Sequence, residues 1–203
     1  MHVGGRRAAL AGRAHRLDER IDAAWGRALR GRPLVDRAFY LASELGDFSL
    51  IWHLIGAAQG LRSDDDADAT ARLAVVLLAE SLLVNQGVKR LVRRPRPIHD
   101  AIRPHALRAP RTSSFPSGHA SSAFTAAGVL ADRDPALAPL YYGVAVVVAT
   151  SRIHVRIHHA SDVVAGAALG MVLARVALKV WPLPPHGASR GGPGPGAPAT
   201  ATP

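Results

Sequence analysis

Five apolar runs, at 48–61, 70–88, 118–131, 136–150 and 163–181, divide this chain of 203 residues. Charged or turn-forming stretches separate them, among them Asp64 to Asp68, Lys89 to Pro97 and Asp132-Arg133-Asp134-Pro135. Runs of this kind read as helices that must bury their apolar faces on one another. Each uninterrupted run falls short of the ~18–20 residues that mark a membrane span outright, so hydropathy alone leaves a soluble bundle open. Small residues argue for lipid. Ala120, Ala123, Ala126, Ala127 and Gly128 crowd one run, and Gly166 and Gly170 stand four apart in another, the spacing that lets helices approach closely.

The segments flanking the runs are of other kinds. Between residues 8 and 30, Leu10, Ala14, Leu17, Ile21, Trp25 and Leu29 recur at helical spacing while arginines fill the other faces. This predicts a basic amphipathic helix, lying on a membrane surface or packed against the bundle. Gly31-Arg32-Pro33 ends it. Gly46-Asp47 is placed to split the stretch 38–61, and Asp64 to Asp68 reads as an acidic connection. From Pro182 onward the tail is Pro, Gly, Ala and Thr, a composition that predicts disorder. The expected division is 1–37, a basic N-terminal segment; 38–181, the helical domain; and 182–203, the tail.

Three stretches carry the chemistry. In Ser151-Arg152-Ile153-His154-Val155-Arg156-Ile157-His158-His159-Ala160-Ser161-Asp162, a helix starting near 158 would stack His158 and Asp162 as an i, i+4 pair. A carboxylate there can accept the imidazole Nδ1–H and leave Nε2 free as a nucleophile, and the Arg152 fork suits a phosphate. The same stretch also fits a solvated surface loop. Pro116-Ser117-Gly118-His119 precedes a small apolar run and reads as a helix start, with Ser117 as cap and outward N–H groups that suit an anion. A plain cap with an incidental histidine fits equally. Lys89 and Arg96 are seven apart, two helical turns, though Pro95 and Pro97 predict that the helix ends near Arg94. A solvated basic patch is the alternative there.

Taken together and in order, the stretches resemble the type-2 phosphatidic acid phosphatase and vanadium haloperoxidase superfamily, whose pattern is Lys-x6-Arg-Pro, Pro-Ser-Gly-His and Ser-Arg-x5-His-x3-Asp. No signature position departs from it, and a string such as Pro-Ser-Gly-His arises by chance roughly once in 10⁵ positions. At this length the likeness is to bacterial membrane lipid phosphatases, which implies an all-α, multi-pass helical bundle. It also implies hydrolysis of a lipid-linked phosphate monoester or pyrophosphate through a phosphohistidine. In that scheme His158 is the nucleophile, Asp162 orients it, and His119 protonates the leaving oxygen and then activates water. Lys89, Arg96, Ser117, Gly118 and Arg152 hold the phosphate. No metal or other cofactor is implied; ligation by His154, His158 and His159 is the competing idea. Arg94-Pro95 is a second Arg-Pro at the wrong distance from Lys89, and His154, Arg156 and His159 read as neighbours of the site. Substrates within reach are phosphatidate, phosphatidylglycerol phosphate, a polyprenyl pyrophosphate or a polyprenyl-phosphoryl sugar phosphate. A vanadate-dependent haloperoxidase and a catalytically silent lipid-binding protein are the rival functions.

Composition narrows the partners. The formal net charge is +10, which suits phosphate or acidic lipid. Aromatic residues are only 5 %, which argues against the stacking platforms of nucleic-acid binders. Cysteine is absent, so neither disulfides nor thiol chemistry enter. Residues 1–40 hold nine arginines against four acids, and the loop 89–117 holds eight basic residues against one acid. With five crossings, the positive-inside rule puts both in the cytoplasm. Were 8–30 to insert as a sixth span, the motif face would lie outside.

Overall fold

The computed structural model describes residues 3–97 and 112–183, with side chains from residue 12 onward. Every regular element among them is helical. The order is α1 (Val3–Leu29), α2 (Pro33–Leu45), α3 (Leu50–Gly60), α4 (Asp64–Leu82), the single turn α5 (Lys89–Leu91), α6 (Gly118–Arg133), α7 (Ala138–His154) and α8 (Ala160–Val180). The expected tail lies almost wholly outside the described residues, as does most of the loop between α5 and α6.

α6 is the central helix. Ten of its sixteen residues are buried, and it packs along α8, α7 and α4. Its small side chains make that possible. Ala123, Ala126 and Ala127 meet Trp52, Leu73, Leu77, Tyr141, Ala145 and Val148 in one cluster. Gly166 and Gly170 face α6 so closely that an added Cβ would lie 2.4 Å from the Ser117 carbonyl oxygen and 2.2 Å from that of Ser121. Large apolar side chains point the other way: Leu50, Leu54, Val75, Leu78, Leu82, Val146, Val164, Val172 and Val176 are exposed. Small residues along the α6–α8 seam with large ones facing outward suit a bundle bathed in lipid, because lipid tails compete for Leu and Val but not for close backbone contact.

Local chemistry sets the helix ends. Asp64, Asp65 and Asp66 are not a connection but the first turn of α4, where the helix dipole favours carboxylates. Ser63 caps that turn by accepting the Asp66 N–H. Asp66 is buried there against Arg133 (2.8 Å), and Arg72, also buried, donates to Asp132 and to the Trp181 carbonyl. These pairs close the end of the bundle remote from the motifs. α2 and α3 are split at 46–49 as expected, by left-handed backbone at Phe48 (φ 52°) and Ser49 (φ 59°). α4 loosens into a π turn at Leu83–Val88 before Lys89.

α1 forms where amphipathicity predicts, but it does not run beside the bundle. Outside α1 itself, His15, Asp18, Ile21, Trp25 and Arg30 reach residues of the turn between α7 and α8, the adjoining helix ends, Arg94 and, through Trp25, Phe39 of α2. Fifteen residues of helix span ~22 Å, so α1 lies across the motif-bearing end. Two helical segments, Pro135–His154 and Ala160–Val180, are long and apolar enough to cross a membrane.

Candidate active site

Four pieces of chain meet at one end of the bundle. The first is the end of α4 with α5. It carries Lys89, two residues before the helix ends, whose buried ammonium donates to Asn85 (2.8 Å) one turn back. The helix ends at Leu91 rather than near Arg94, so Lys89 and Arg96 do not share a helical face. Instead residues 92–97 run outside the helix and are hydrogen-bonded to 113–115. Ser114 N–H donates to the Arg94 carbonyl, Ser114 Oγ to that of Pro95, and Ser113 Oγ accepts the Arg94 N–H. This pairing is the second piece, and it swings Arg96 inward. Arg96 Nη1 lies 3.0 Å from the Ile157 carbonyl and 3.2 Å from His158 Nε2.

The third piece is the start of α6. Ser117 caps it by accepting the Ala120 N–H, as its sequence predicts. Gly118 leaves room for Lys89: a Cβ there would sit 3.3 Å from its ammonium nitrogen. Ser117 N–H donates to the Asp162 carbonyl (3.0 Å), which ties this turn to the fourth piece. His119 Nε2 lies 3.1 Å from Asp47 Oδ1 and 3.2 Å from the Ser43 carbonyl.

The fourth piece is the α7–α8 turn. Arg152 is buried at the end of α7; its guanidinium donates to Ser43 Oγ and its carbonyl accepts the N–H groups of Ile157 and His158. α8 begins at Ala160 with His159 as cap, so His158 precedes the helix. The expected i, i+4 stacking is therefore replaced by a turn, and His158 Nδ1 stands 3.7 Å from Asp162 Oδ2. Burial, reinforced by the charges of Arg152 and Arg96 against that of Asp162, holds the His158 imidazole well below its ordinary range. It is neutral at physiological pH. Lys89 is pushed down to about 8 by burial and by Arg96.

All eight motif residues thus gather at one end of the bundle, and two of them, Lys89 and Arg96, line a cavity of about 840 Å³ together with Arg90, Arg93 and Arg94 among others. A neutral buried imidazole is chemically able to act as a nucleophile, and guanidinium groups beside it are able to neutralise the oxygens of an anion.

Several neighbours escaped the sequence reading. Ser43 and Asp47, which hold Arg152 and His119, sit in a stretch that read as an apolar run with a break. Arg94, set aside on spacing, donates to Asp162 Oδ1 (2.5 Å) and to Asp18 Oδ2 (2.6 Å). Asp18 had a signal: it shares a helical face with Ile21 and Trp25, where a carboxylate needs a partner. His154 is turned away from Arg96 toward Trp25 (3.1 Å) and Asp36 (2.9 Å). Among the described residues no group of three or more His, Asp or Glu is placed to hold a metal ion, so the His154, His158 and His159 cluster does not form.

Comparison with known proteins gives a consistent family. The family model for the PAP2 superfamily matches residues 69–183. Decaprenylphosphoryl-5-phosphoribose phosphatase of Mycobacterium tuberculosis is 37 % identical over 151 residues, covering 70 % of this chain and 81 % of that protein. The protein of the same name from Mycolicibacterium smegmatis is 36 % identical over 142 residues, covering 68 % and 75 %. Among solved structures, a transmembrane PAP2 type phosphatidylglycerolphosphate phosphatase from Bacillus subtilis superposes with a TM-score of 0.57 at 24 % identity, covering 88 % of this chain and 87 % of that one.

Proposed function

This chain belongs to the PAP2 superfamily and is a membrane phosphatase, and from that premise we propose that it removes the terminal phosphate of a polyprenyl-phosphoryl sugar phosphate. The proximity of Arg96 to His158 Nε2 carries the mechanism: a guanidinium that lines the basic cavity also stands beside a neutral ring nitrogen, where an incoming phosphate can take over its N–H groups and leave the lone pair to attack. His158 Nε2 attacks phosphorus, a P–N bond forms, and the bond to the sugar oxygen breaks. His119 gives its proton to that oxygen. It then takes one from water, which attacks the phosphohistidine, breaks the P–N bond and leaves inorganic phosphate and neutral His158.

Asp162 orients His158 and offsets the positive charge that develops on it; the 3.7 Å gap closes once phosphate draws His158 forward, as catalytic contacts often do. Lys89, Arg96 and Arg152, with Ser117 and the Gly118 N–H, receive the equatorial oxygens. The substrate reading is supported by the names of the mycobacterial relatives, which cover most of their own length with this chain. Residues 38–181 are proposed as the catalytic domain and 1–37 as an interfacial arm, in a protein that crosses the cell membrane several times.

The test is phosphate release from detergent-solubilised protein. The panel is phosphatidate, phosphatidylglycerol phosphate, a polyprenyl pyrophosphate and a polyprenyl-phosphoryl pentose 5-phosphate. The last should show the highest kcat/KM. Preference for any other lipid overturns the substrate reading, and bromide peroxidation with vanadate in place of phosphate release overturns the reaction.

A further inference from the structure

Asp18 is out of place on α1. It is 3 % exposed, on the inward face of a helix whose outer faces are arginine-rich. A buried carboxylate is costly unless its lone pairs are matched. Here they are: Oδ1 accepts the Ser161 N–H (2.8 Å), and Oδ2 accepts Ser161 Oγ–H (2.7 Å) and Arg94 Nη2 (2.6 Å). Burial works against the charge, but Arg94 and Ser161 outweigh it and hold the carboxyl below its usual range.

The other arm of the same guanidinium goes to the site. Arg94 Nη1 donates to Asp162 Oδ1 (2.5 Å) and to Ser161 Oγ (2.7 Å). Asp162 Oδ2 accepts the His159 N–H (2.9 Å) and is the oxygen nearest His158 Nδ1. With Oδ1 pinned by Arg94, the carboxylate cannot rotate about its last bond, and Oδ2 stays aimed at His158. Arg94 alone would be free to turn its fork; the second carboxylate fixes the fork's plane.

Charge gives a second reason for Asp18. Arg94 with Asp162 alone would be neutral, and a neutral pair does little for an imidazole about to become cationic. Adding Asp18 makes the group net negative beside His158.

We propose that Asp18 and Arg94 are positioning residues for phosphoryl transfer: through them α1, lying across the end of the bundle, holds Asp162 and thereby aims His158. This rests on the reading of His158 as the nucleophile. The rival is a staple that fastens α1 and has no influence on chemistry.

Arg30 provides the control, because it fastens the same helix to the Ile153 and His154 carbonyls without touching Asp162. Five variants are compared with the parent in detergent, using dioctanoyl phosphatidate as probe: Asp18→Asn, which is isosteric, Arg94→Gln, the double variant of these two, Arg94→Lys and Arg30→Gln. Asp18→Asn and Arg94→Gln should lower kcat by about 10- to 100-fold with KM within about twofold, as expected for a group that acts through another. The double variant should be no worse than Arg94→Gln alone. Arg94→Lys, which keeps the charge but not the fork, should recover part of the loss. Arg30→Gln should lower Tm and leave kcat within about twofold. Parental kcat in Asp18→Asn and Arg94→Gln overturns the proposal, as does a kcat loss in Arg30→Gln that matches theirs. Should the parent release no phosphate from any lipid, the functional reading fails by itself. The relay is then read by ¹⁵N-histidine NMR, where the His158 ring signals should move in Asp18→Asn and Arg94→Gln but not in Arg30→Gln. Unmoved signals refute it.

Discussion

Replacing Gly166 by Ala should damage catalysis more than stability. A Cβ at 166 would lie 2.4 Å from the Ser117 carbonyl oxygen and 3.1 Å from Ala120 Cβ. Ordinary contact needs roughly 3.4 Å, so α6 and α8 must part there by about 1 Å. The obstacle is backbone that cannot yield alone. Ser117 O accepts the Ser121 N–H, and Ser117 N–H donates to the Asp162 carbonyl. The strain therefore moves the turn that carries Ser117, Gly118 and His119 relative to His158 and Asp162. Overpacking costs about 1–3 kcal/mol, less up to ~1 kcal/mol of helix propensity regained from glycine. A misplacement of about 1 Å at reacting groups costs on the order of 10²-fold in rate, or ~2.7 kcal/mol of barrier. Two companions separate the effects. Gly128→Ala meets Ala174 Cβ at 2.6 Å, away from the motifs, and should lose stability but keep kcat. Gly143→Ala has nothing within 4 Å and should be neutral or stabilising. Tm in detergent and kcat on dioctanoyl phosphatidate decide it. A Gly166→Ala enzyme that falls in Tm as far as Gly128→Ala yet keeps kcat within about threefold would falsify the reasoning.

Further outcomes are expected. His158→Ala should abolish the acid-labile, base-stable phosphoenzyme trapped by rapid quench, and a phosphoenzyme that survives the change rules out His158 as nucleophile. Lys89, pushed down to about 8, is cationic below that pH and neutral above it. kcat/KM should therefore fall as pH rises through about 8; a flat profile from pH 7 to 10 contradicts a phosphate-binding Lys89. Orthovanadate should inhibit competitively while EDTA leaves turnover unchanged, and loss in EDTA restored by Mg²⁺ would count against a histidine-only mechanism. For sidedness, single cysteines replacing exposed Thr112 and Ala67 are probed with an impermeant maleimide on intact cells. Labelling at 67 and protection at 112 fits a cytoplasmic site, and the reverse pattern places the site outside.

Much of the bundle could be read from periodicity and composition, because each helix is a local matter of apolar spacing and caps. Ser117 as a cap and Gly31 as a breaker are decisions made within four residues of chain. The motif residues were legible for another reason: their types and intervals survive any local distortion. The distortions were not legible. Nothing within 89–97 says that the helix stops at Leu91, where hydrogen bonds to 113–115, distant in sequence, hold the chain instead. The His158–Asp162 interval looked helical, but the carbonyl of Arg152 captures the His158 N–H and delays α8 until residue 160. Arg94 was set aside because its interval from Lys89 is wrong for phosphate, and its real partners, Asp18 and Asp162, are 76 and 68 residues away. Long-range pairing of that sort leaves only a weak mark, a carboxylate on an apolar face.

The small-residue seam between α6 and α8 also reverses part of the usual map of what mutation can change. In a water-soluble domain the large core residues resist substitution and the surface drifts. Here Leu54, Val75, Val146 and Val172 face outward, and one apolar residue serves there as well as another. Along that seam the positions intolerant of enlargement are alanines and glycines, Ala120, Ala123, Ala126, Gly166 and Gly170, where a single methyl or a longer side chain forces helices apart. A library that diversifies the outer leucines and valines should keep its function broadly. One that diversifies the alanine-rich seam should lose it at nearly every step, although by hydrophobicity alone the two sets of changes look alike.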